Sequence, residues 1–341
     1  MIDRAIGWLT DRKHSTHGLA ATRIVLGFIV ASQLVLNWSD RQYTWGVGAR
    51  WATPVREARE WPAFLGVFTQ VGGTGFDLLY LATILSGVLL MLGVRTRAAA
   101  VGTLLLWVSL SVSNPFVGSG GDAVLRMVLL YLCLTDSGRH WSLDARARGG
   151  GDGTPGAVPA WMSTLLHNLA MILIVHQVVM VYLGSSFWKI QSAVWRDGTA
   201  VYYPLQTDAY SPWHDVLQPL YASSAFVAAA TWTAIVVQMF FPVLLLHRPA
   251  RVVALVAVTA MHLGIGLLMG IMYFSLVMIA VDMILVSDRS WTRAEEIVRL
   301  RLSSRRRGVR TGSGPPPARR ALPVHACGGP SRWGSRQARR R

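Results

Sequence analysis

The sequence predicts an all-α polytopic membrane protein, a bundle of about eight transmembrane helices with a disordered basic C-terminal tail. Hydrophobic residues make up 52% of the 341 residues and charged residues 15%, whereas soluble domains carry about 25% charged residues. Apolar runs long enough to cross about 30 Å of hydrocarbon recur along the chain. Because these runs lack the alternation of a barrel strand and lipid offers the backbone no partners, we expect each to be a helix.

Eight apolar runs are candidate spans, and the fourth and eighth of them are short. A further stretch, 61–74, is a candidate half-span or interfacial helix, so the expected number of spans is seven to nine. The eight runs lie near 18–38, 75–94, 97–116, 122–137, 163–187, 222–246, 251–270 and 271–288.

These spans set the predicted domain organisation. Residues 1–17 form a cytoplasmic N-terminal segment, and 18–288 form the transmembrane domain with a Gly-rich inner linker at 149–159. An amphipathic juxtamembrane segment follows at 289–302. Residues 303–341 are rich in Arg, Pro and Gly and cannot bury enough apolar area to order themselves, so we expect them to be disordered. The N-terminal run has no cleavage signal, so it reads as a first span.

The distribution of Lys and Arg predicts how the chain is oriented. Before the tail, the candidate inner segments carry ten of these residues and the outer segments six. The positive-inside rule then places both termini in the cytoplasm and Lys189 on the outer side of a bacterial inner membrane. Four Arg within 39–74 oppose this count. Their alternation with tryptophans indicates a helix lying on the outer surface.

The net charge of +16 is mostly a property of the tail, because residues 289–341 alone carry +13. Such a tail suits anionic lipid headgroups, and with no folded nucleic-acid module in view, nucleic acid is an unlikely partner. The two cysteines, Cys133 and Cys327, form no CxxC spacing. We therefore expect neither a disulfide nor a metal site.

Lys189 is the first candidate for chemistry, because it is one of only two lysines and ends an apolar run. Elsewhere the chain uses Arg, which stays protonated, whereas a desolvated Lys can lose its proton and act as a base. The alternative is an anchor whose amine reaches the lipid headgroups. From these residues alone, the anchor is the commoner role.

Other polar residues in the spans have structural and functional interpretations. Asp122 and Arg126 are four residues apart, which favours a structural ion pair over a substrate contact. For Gln238 the default role is a hydrogen bond between helices. His176 and His262 are candidates for proton relay or for contact with a quinone oxygen, although an intramembrane His more often packs through hydrogen bonds; we favour His262.

Aromatic residues flank Lys189 in the sequence. They form either an ordinary interfacial belt or the walls of a capped pocket with a few polar groups. Asp197 belongs to a turn in the same stretch. The candidate pocket residues are Trp188, Trp195, Tyr202 and Tyr203, with His176.

Three stretches together resemble the membrane domain of the vitamin K-dependent gamma-carboxylase superfamily. In bacteria this superfamily includes the HTTM (horizontally transferred transmembrane) family and the SdpB-like proteins. The resemblance spans roughly residues 15–288 and depends on the order and spacing of the stretches. They are Asn114-Pro115 through Gly120-Gly121-Asp122 to Trp141-Ser142-Leu143-Asp144, then Lys189 with Trp195 and Asp197 to Val201, then Met261-His262 leading to Tyr273-Phe274-Ser275.

The resemblance implies a role for two residues. In the carboxylase, a lysine in the matching stretch deprotonates vitamin K hydroquinone; the oxygenated intermediate then abstracts a glutamate proton, and carbon dioxide traps the carbanion. Lys189 would inherit the base role, and His262, where the carboxylase also has a histidine, becomes a candidate pocket residue. A reduced quinone is the implied cofactor.

Two departures limit that transfer. The carboxylase has a large extramembrane C-terminal region for its protein substrate, whereas here only the Arg-rich tail follows the last span. Gly120-Gly121-Asp122 also replaces a histidine-containing stretch. The resemblance therefore leaves two functions open. One is a quinol-linked modifying enzyme with carboxylase-like chemistry; the other is a non-enzymatic accessory for maturation or export of a small secreted peptide. Transport ranks lowest, because intramembrane charge is sparse.

Overall fold

The computed structural model describes residues 2–54, 62, 65–149, 159–207 and 210–302, together with the backbone of 303–311. The chain divides into two compact units, Met1–Arg293 and Ala294–Arg341. Within the described residues the regular elements are all helical, as the sequence predicts. The second unit is described only as the continuation of one helix.

The first unit contains a bundle of long helices joined by short ones. We label ten helices: α1 (Ile2–Thr10), α2 (Thr16–Leu36), α3 (Thr74–Leu92), α4 (Thr96–Ser113), α5 (Gly120–Leu132), α6 (Ala160–Gln191), α7 (Ser224–Leu244), α8 (Arg248–Leu268), α9 (Met272–Asp282) and α10 (Asp288–Thr311). Short helical turns lie at Arg41–Thr44, Arg50–Ala52, Val67–Gln70, Leu143–Ala147, Ala193–Arg196, Tyr202–Leu205, His214–Tyr221 and Met283–Leu285.

The predicted eight apolar helices are confirmed as α2 to α9. Six of them, all except α5 and α9, are long and apolar enough to cross a membrane. These two are the pair whose apolar runs are short in the sequence. α9 contacts α2, α5 and α8, and six of its eleven residues are buried. A helix enclosed by other helices does not have to match the thickness of the lipid.

The tightest packing in the bundle joins α2 to α3, which also contact each other most extensively. A Cβ atom at Gly27 would lie 2.5 Å from the backbone nitrogen of Met91, and one at Gly87 would lie 3.1 Å from the nitrogen of Ala31. Only glycine allows two helix backbones to approach this closely, as is common in membrane bundles. Beyond this pair, α3 contacts α4, α4 contacts α5, and α5 contacts α9. On the other side, α6 contacts α7, α7 contacts α8, and α8 contacts α9.

A polar layer closes the end of the bundle that carries the N-terminus. Its centre is Arg23 of α2, which is fully buried. The Arg23 guanidinium donates to the carbonyls of Leu90 and Met91 at 2.5 and 2.8 Å, and to those of Ser137 and Trp141 at 3.1 and 2.9 Å. It therefore ties α2 to the end of α3 and to the loop after α5.

The same layer holds α6 through two neighbouring residues. Nδ1 of the fully buried His167 accepts the backbone N–H of Asp136 at 3.0 Å, and its Nε2 donates to the His14 carbonyl at 2.8 Å. The Asn168 amide donates to the carbonyls of Leu9 and Arg12 at 2.9 and 2.8 Å. The start of α6 is thus fixed beside α1.

Two carboxylates of this layer are held in their charged form. Burial opposes ionisation of Asp136, but its ion pair with Lys13 at 2.9 Å lowers its pKa below the ordinary value. Burial likewise opposes ionisation of Asp144, but hydrogen bonds from the Thr96 backbone and hydroxyl and from the Arg95 backbone lower its pKa. Asp144 thereby caps the N-terminus of α4.

The expected ion pair between Asp122 and Arg126 is absent from the described structure. The Asp122 carboxylate instead accepts from the backbone and hydroxyl of Ser119 at 2.6 and 2.9 Å, while the Ser119 hydroxyl caps the Asp122 N–H. This reciprocal arrangement is a capping box at the start of α5. A cap satisfies the free N–H groups of the helix end, so Asp122 has a closer partner than Arg126.

The structure describes the other predicted segments to different extents. In the described part of 39–74, which is 39–54, 62 and 65–74, short helical turns precede α3, among them Arg41–Thr44, whose Arg41 pairs with Asp77 at 2.8 Å. The helix α10 continues to Thr311, past the expected start of disorder at 303. Most of the predicted linker 149–159 and all of 312–341 lie outside the described residues.

Candidate functional site

Lys189 lies near the C-terminal end of α6, at the bundle end opposite the polar layer. Its Nζ atom donates to the Ser185 hydroxyl at 2.6 Å, one turn back on the same helix, and to Oε1 of Gln238 on α7 at 2.5 Å. The nitrogen also lies 5.0 Å from the centre of the Trp195 ring. The side chain is half-buried. Lys189 is therefore packed within the protein and does not extend freely into solvent.

The position of Lys189 relative to a bilayer follows from the length of α6. Asn168 and His167 fix the first turns of α6 at the level of the polar layer. From Asn168 to Lys189 the helix rises by about 1.5 Å per residue, or roughly 30 Å in all, which is the thickness of the hydrocarbon core. If the polar layer lies at one membrane surface, Lys189 lies at the opposite one, where an amphipathic molecule in the lipid can reach it.

The hydrogen-bond partners of Lys189 are both neutral. Among the described residues, no carboxylate forms an ion pair with Lys189. An amide oxygen and a hydroxyl oxygen orient an amine without fixing it in the charged form as a carboxylate would. The site therefore suits an amine that exchanges a proton during its work.

A second polar group is buried next to Lys189 in the bundle. Tyr182 lies two turns before Lys189 on α6, and its hydroxyl donates to Oδ2 of Asp282 on α9 at 2.7 Å. The same hydroxyl lies 3.1 Å from Nε2 of His262 on α8. All three side chains are at most 2% exposed.

Aromatic contacts join the two polar groups. The Tyr182 ring packs edge-on against Phe241 at 4.7 Å, and Phe241 lies one turn after Gln238 on α7. His262 in turn contacts Phe274 of α9 at 5.7 Å between ring centres. The contacts of Lys189 and those of Tyr182 therefore both join α6 to α7, in neighbouring turns of the two helices.

Several polar atoms of this site have no partner in the described part of the chain. They are Nδ1 of His262, Oδ1 of Asp282 and Oγ of Ser275, and each atom is buried. A buried polar atom without a partner costs about 1–3 kcal/mol. Such atoms in one region indicate groups kept for a ligand or for proton transfer, because stability alone would favour pairing or replacing them.

The other sequence-predicted residues divide between the site and its surroundings. Gln238 and Trp195 contact Lys189 directly, as described above. Trp188 is 76% exposed and has no described ring contact with the amine, and His176 is exposed on another face of α6. Asp197 is an exposed residue whose N–H closes the turn Ala193–Arg196.

Tyr202 and Tyr203 do not contact Lys189 through any described hydrogen bond or ring contact. Their rings pack against each other, and that of Tyr202 also against Tyr221. Tyr221 belongs to a separate small cluster with Leu205 and Leu217. The aromatic wall of the site is therefore built from Trp195 and from the rings on α7 and α9.

A small depression, open to the outside, lies elsewhere, between the loop after α4 and the helices α2, α4 and α5. The loop is the glycine-rich stretch in which a ligand was expected to approach the backbone. Lys189 is not among the residues that line it. The lining residues are Gln33, Trp45, Trp107, Leu110, Ser111, Asn114, Val117, Gly118 and Asp122.

Sequence reasoning missed Tyr182, Asp282 and Arg23. Both charged residues lie inside predicted spans, and a charge in a span is itself a signal for a buried structural or functional role. Tyr182 carried no such signal, since tyrosine is common in apolar helices. Its role appears only when the packing of α6 against α8 and α9 brings its hydroxyl between two polar partners.

Comparison with known proteins gives one family and one relative. The family model described as HTTM domain matches residues 11–291. An uncharacterized protein of Bacillus subtilis (strain 168), YitO, is 31% identical over 199 residues, which cover 56% of this chain and 60% of YitO. The matched region thus spans less than two thirds of that relative. No solved structure matches the chain.

Proposed function

The chain belongs to the HTTM domain family and is an integral membrane protein, and from this premise we propose that it is a quinol-dependent modifying enzyme in which Lys189 is the base. The amine removes a proton from a phenolic hydroxyl group: the O–H bond breaks, an N–H bond forms, and the products are an ammonium ion and a phenolate. The observation that carries the proposal is that Lys189 is oriented by two neutral acceptors and has no carboxylate partner among the described residues.

The residues of the site fit a reduced quinone. Such a molecule is an aromatic ring that bears hydroxyl groups and an apolar tail, so it needs flat apolar contacts and a few hydrogen-bonding atoms. Trp195, Phe241 and Phe274 offer rings, and His262 and Ser275 offer polar atoms without partners. The bound quinol would supply reducing equivalents. Lys189 would take its proton, and the rings would exclude water.

The orientation of the chain gives the proposed site its substrate class. Both termini lie in the cytoplasm on the Lys and Arg count, so Lys189 works at the outer surface of the cytoplasmic membrane. A quinol reaches it from the lipid, and a small secreted peptide from the aqueous side. The basic tail would bind anionic headgroups on the inner side.

Substitution of the only two lysines provides a matched test. Lys189→Arg keeps charge and reach but cannot lose its proton, whereas Lys13→Arg makes the same change in an ion pair at the other end of the bundle. Protein reconstituted with vitamin K hydroquinone, oxygen and labelled bicarbonate would be assayed for quinol consumption and label incorporation. We expect the wild type and Lys13→Arg to be active and Lys189→Arg to be inactive at normal membrane abundance.

The contrary result has a defined meaning. If Lys189→Arg consumes the quinol as the wild type does, or restores the wild-type phenotype to a deletion strain, then Lys189 is not a base. The accessory role in maturation or export of a secreted peptide would then account for the protein, with Lys189 as an interfacial anchor.

A further inference from the structure

We propose that Asp282, acting through Tyr182, fixes His262 in the tautomer whose Nδ1 is an unprotonated acceptor, so that His262 offers a hydrogen-bond acceptor to a ligand of the proposed site. The inference deepens the proposed function and rests on it for the identity of the ligand. Asp282 and Tyr182 are positioning residues, while His262 accepts the hydrogen bond.

The directions of two hydrogen bonds carry the argument. The Tyr182 hydroxyl has one hydrogen, and a carboxylate can only accept, so this hydrogen is committed to Asp282 at 2.7 Å. The contact of 3.1 Å between the Tyr182 oxygen and Nε2 of His262 therefore needs a hydrogen from the imidazole. With that hydrogen on Nε2, a neutral imidazole has none on Nδ1.

Nδ1 of His262 is buried and has no partner in the described structure. An unpaired acceptor in a buried position costs free energy, which is recovered when a hydroxyl group of a ligand donates a hydrogen bond to it. The free lone pair of Nδ1 therefore suits a ligand that carries hydroxyl groups.

The hydrogen bonds of this arrangement balance. A ligand hydroxyl donates its one hydrogen to Nδ1 of His262, while Nε2 keeps its own hydrogen and its bond to Tyr182. The imidazole stays neutral, so no charge is created in the buried region. This division between an acceptor and the group that orients it is the general logic of catalytic triads.

The chain contains an internal comparison for this arrangement. Nε2 of His214 lies 3.1 Å from the hydroxyl of Tyr221, the same separation as in the His262 pair. The described hydrogen bonds of Tyr221 go only to His214 and give it no carboxylate partner. The Tyr221 hydrogen has two acceptors within reach, the His214 backbone oxygen at 3.4 Å and Nε2 of the same residue, so the tautomer of His214 does not depend on any aspartate described here.

Nitrogen-15 NMR of histidine-labelled protein in nanodiscs tests the proposal without any substrate. The His262 signals are assigned as those missing from a His262→Gln spectrum. We expect wild-type His262 to be protonated on Nε2 only. Asp282→Leu removes the acceptor of the Tyr182 hydrogen, so this hydrogen turns to Nε2 and the proton of His262 moves to Nδ1. Asp282→Asn keeps an acceptor oxygen and should keep the wild-type tautomer.

The His214 signals serve as the control and should be unchanged in both Asp282 variants. Wild-type His262 protonated on Nδ1, or no change of tautomer in a folded Asp282→Leu protein, would overturn the proposal. The Lys189→Arg variant separates this result from the proposed function. If that variant stays active while the Asp282→Leu shift is seen, the tautomer control is real and the base assignment of Lys189 fails; the reverse pattern removes the tautomer control alone.

Discussion

The two buried cationic regions of the bundle, around Arg23 and around Lys189, differ in how completely their polar atoms are paired. The guanidinium of Arg23 donates to four backbone carbonyls within 3.1 Å in a fully buried position. Lys189 is half-buried and has two neutral acceptors. Arg23 thus holds chain segments together, whereas Lys189 keeps an amine available at the bundle end.

Two buried histidines repeat this difference. Both ring nitrogens of His167 have partners, an N–H of Asp136 and the carbonyl of His14. Only one nitrogen of His262 does. Sequence position does not separate these residues, since both lie in apolar helices. What separates them is the number of ring nitrogens with a partner, which is two in His167 and one in His262.

The largest effect on stability should come from Arg23→Met, which keeps a long side chain but removes every hydrogen-bond donor. Several buried carbonyls would lose their partner, at about 1–3 kcal/mol each. We expect the variant to unfold or fail to accumulate in membranes, as measured by size-exclusion chromatography of a fluorescent fusion. A well-folded Arg23→Met protein would show that the hydrogen bonds of Arg23 are dispensable and would contradict the distinction between the two cationic regions.

A smaller effect is expected from replacing each histidine with phenylalanine. His167→Phe leaves the Asp136 N–H and the His14 carbonyl without their partner and should destabilise the protein by about 2 kcal/mol. His262→Phe leaves the Tyr182 hydrogen bond to Asp282 in place and should cost less than about 1 kcal/mol. Thermal unfolding in detergent measures both. Equal losses of stability would contradict the division into structural and functional histidines.

The polar layer should also make stability depend on acidity. The pKa of Asp136 is lowered in the folded protein, so the pair with Lys13 stabilises the fold above the ordinary value of 3.8 and is lost as the pH falls through the lower folded pKa. The pair is partly exposed, so we expect no more than about 1 kcal/mol. Unfolding midpoints between about pH 6 and pH 3 should fall less steeply in Asp136→Asn; an unchanged slope would contradict this role.

The smallest effect on stability is expected at the proposed functional site. Lys189→Met keeps the packing volume and leaves one buried acceptor, Oε1 of Gln238, without its donor, so the unfolding free energy should fall by no more than about 1 kcal/mol. Its unfolding midpoint is measured beside that of Arg23→Met. A loss of several kcal/mol would assign Lys189 to the structural class.

The fold and Lys189 were predictable from the sequence for different reasons. Hydropathy alone places α2 to α9, because lipid requires apolar runs of helix. Lys189 stands out through its rarity, and Gln238 as a polar residue in an apolar helix. The contacts of Tyr182 with His262 and Asp282 were not predictable, because they depend on how α6, α8 and α9 pack. Asp122 was misassigned because the spacing of an ion pair says nothing about a nearby cap.

The most direct test of the central claim measures stability and activity together in two matched substitutions of cations. Arg23→Lys and Lys189→Arg each exchange one basic side chain for the other, and each variant would be assayed for its unfolding midpoint and for consumption of vitamin K hydroquinone. We predict that Arg23→Lys loses stability, whereas Lys189→Arg keeps the wild-type midpoint and loses consumption. A Lys189→Arg protein that consumes the quinol at the wild-type rate, or unfolds as early as Arg23→Lys, would contradict the account.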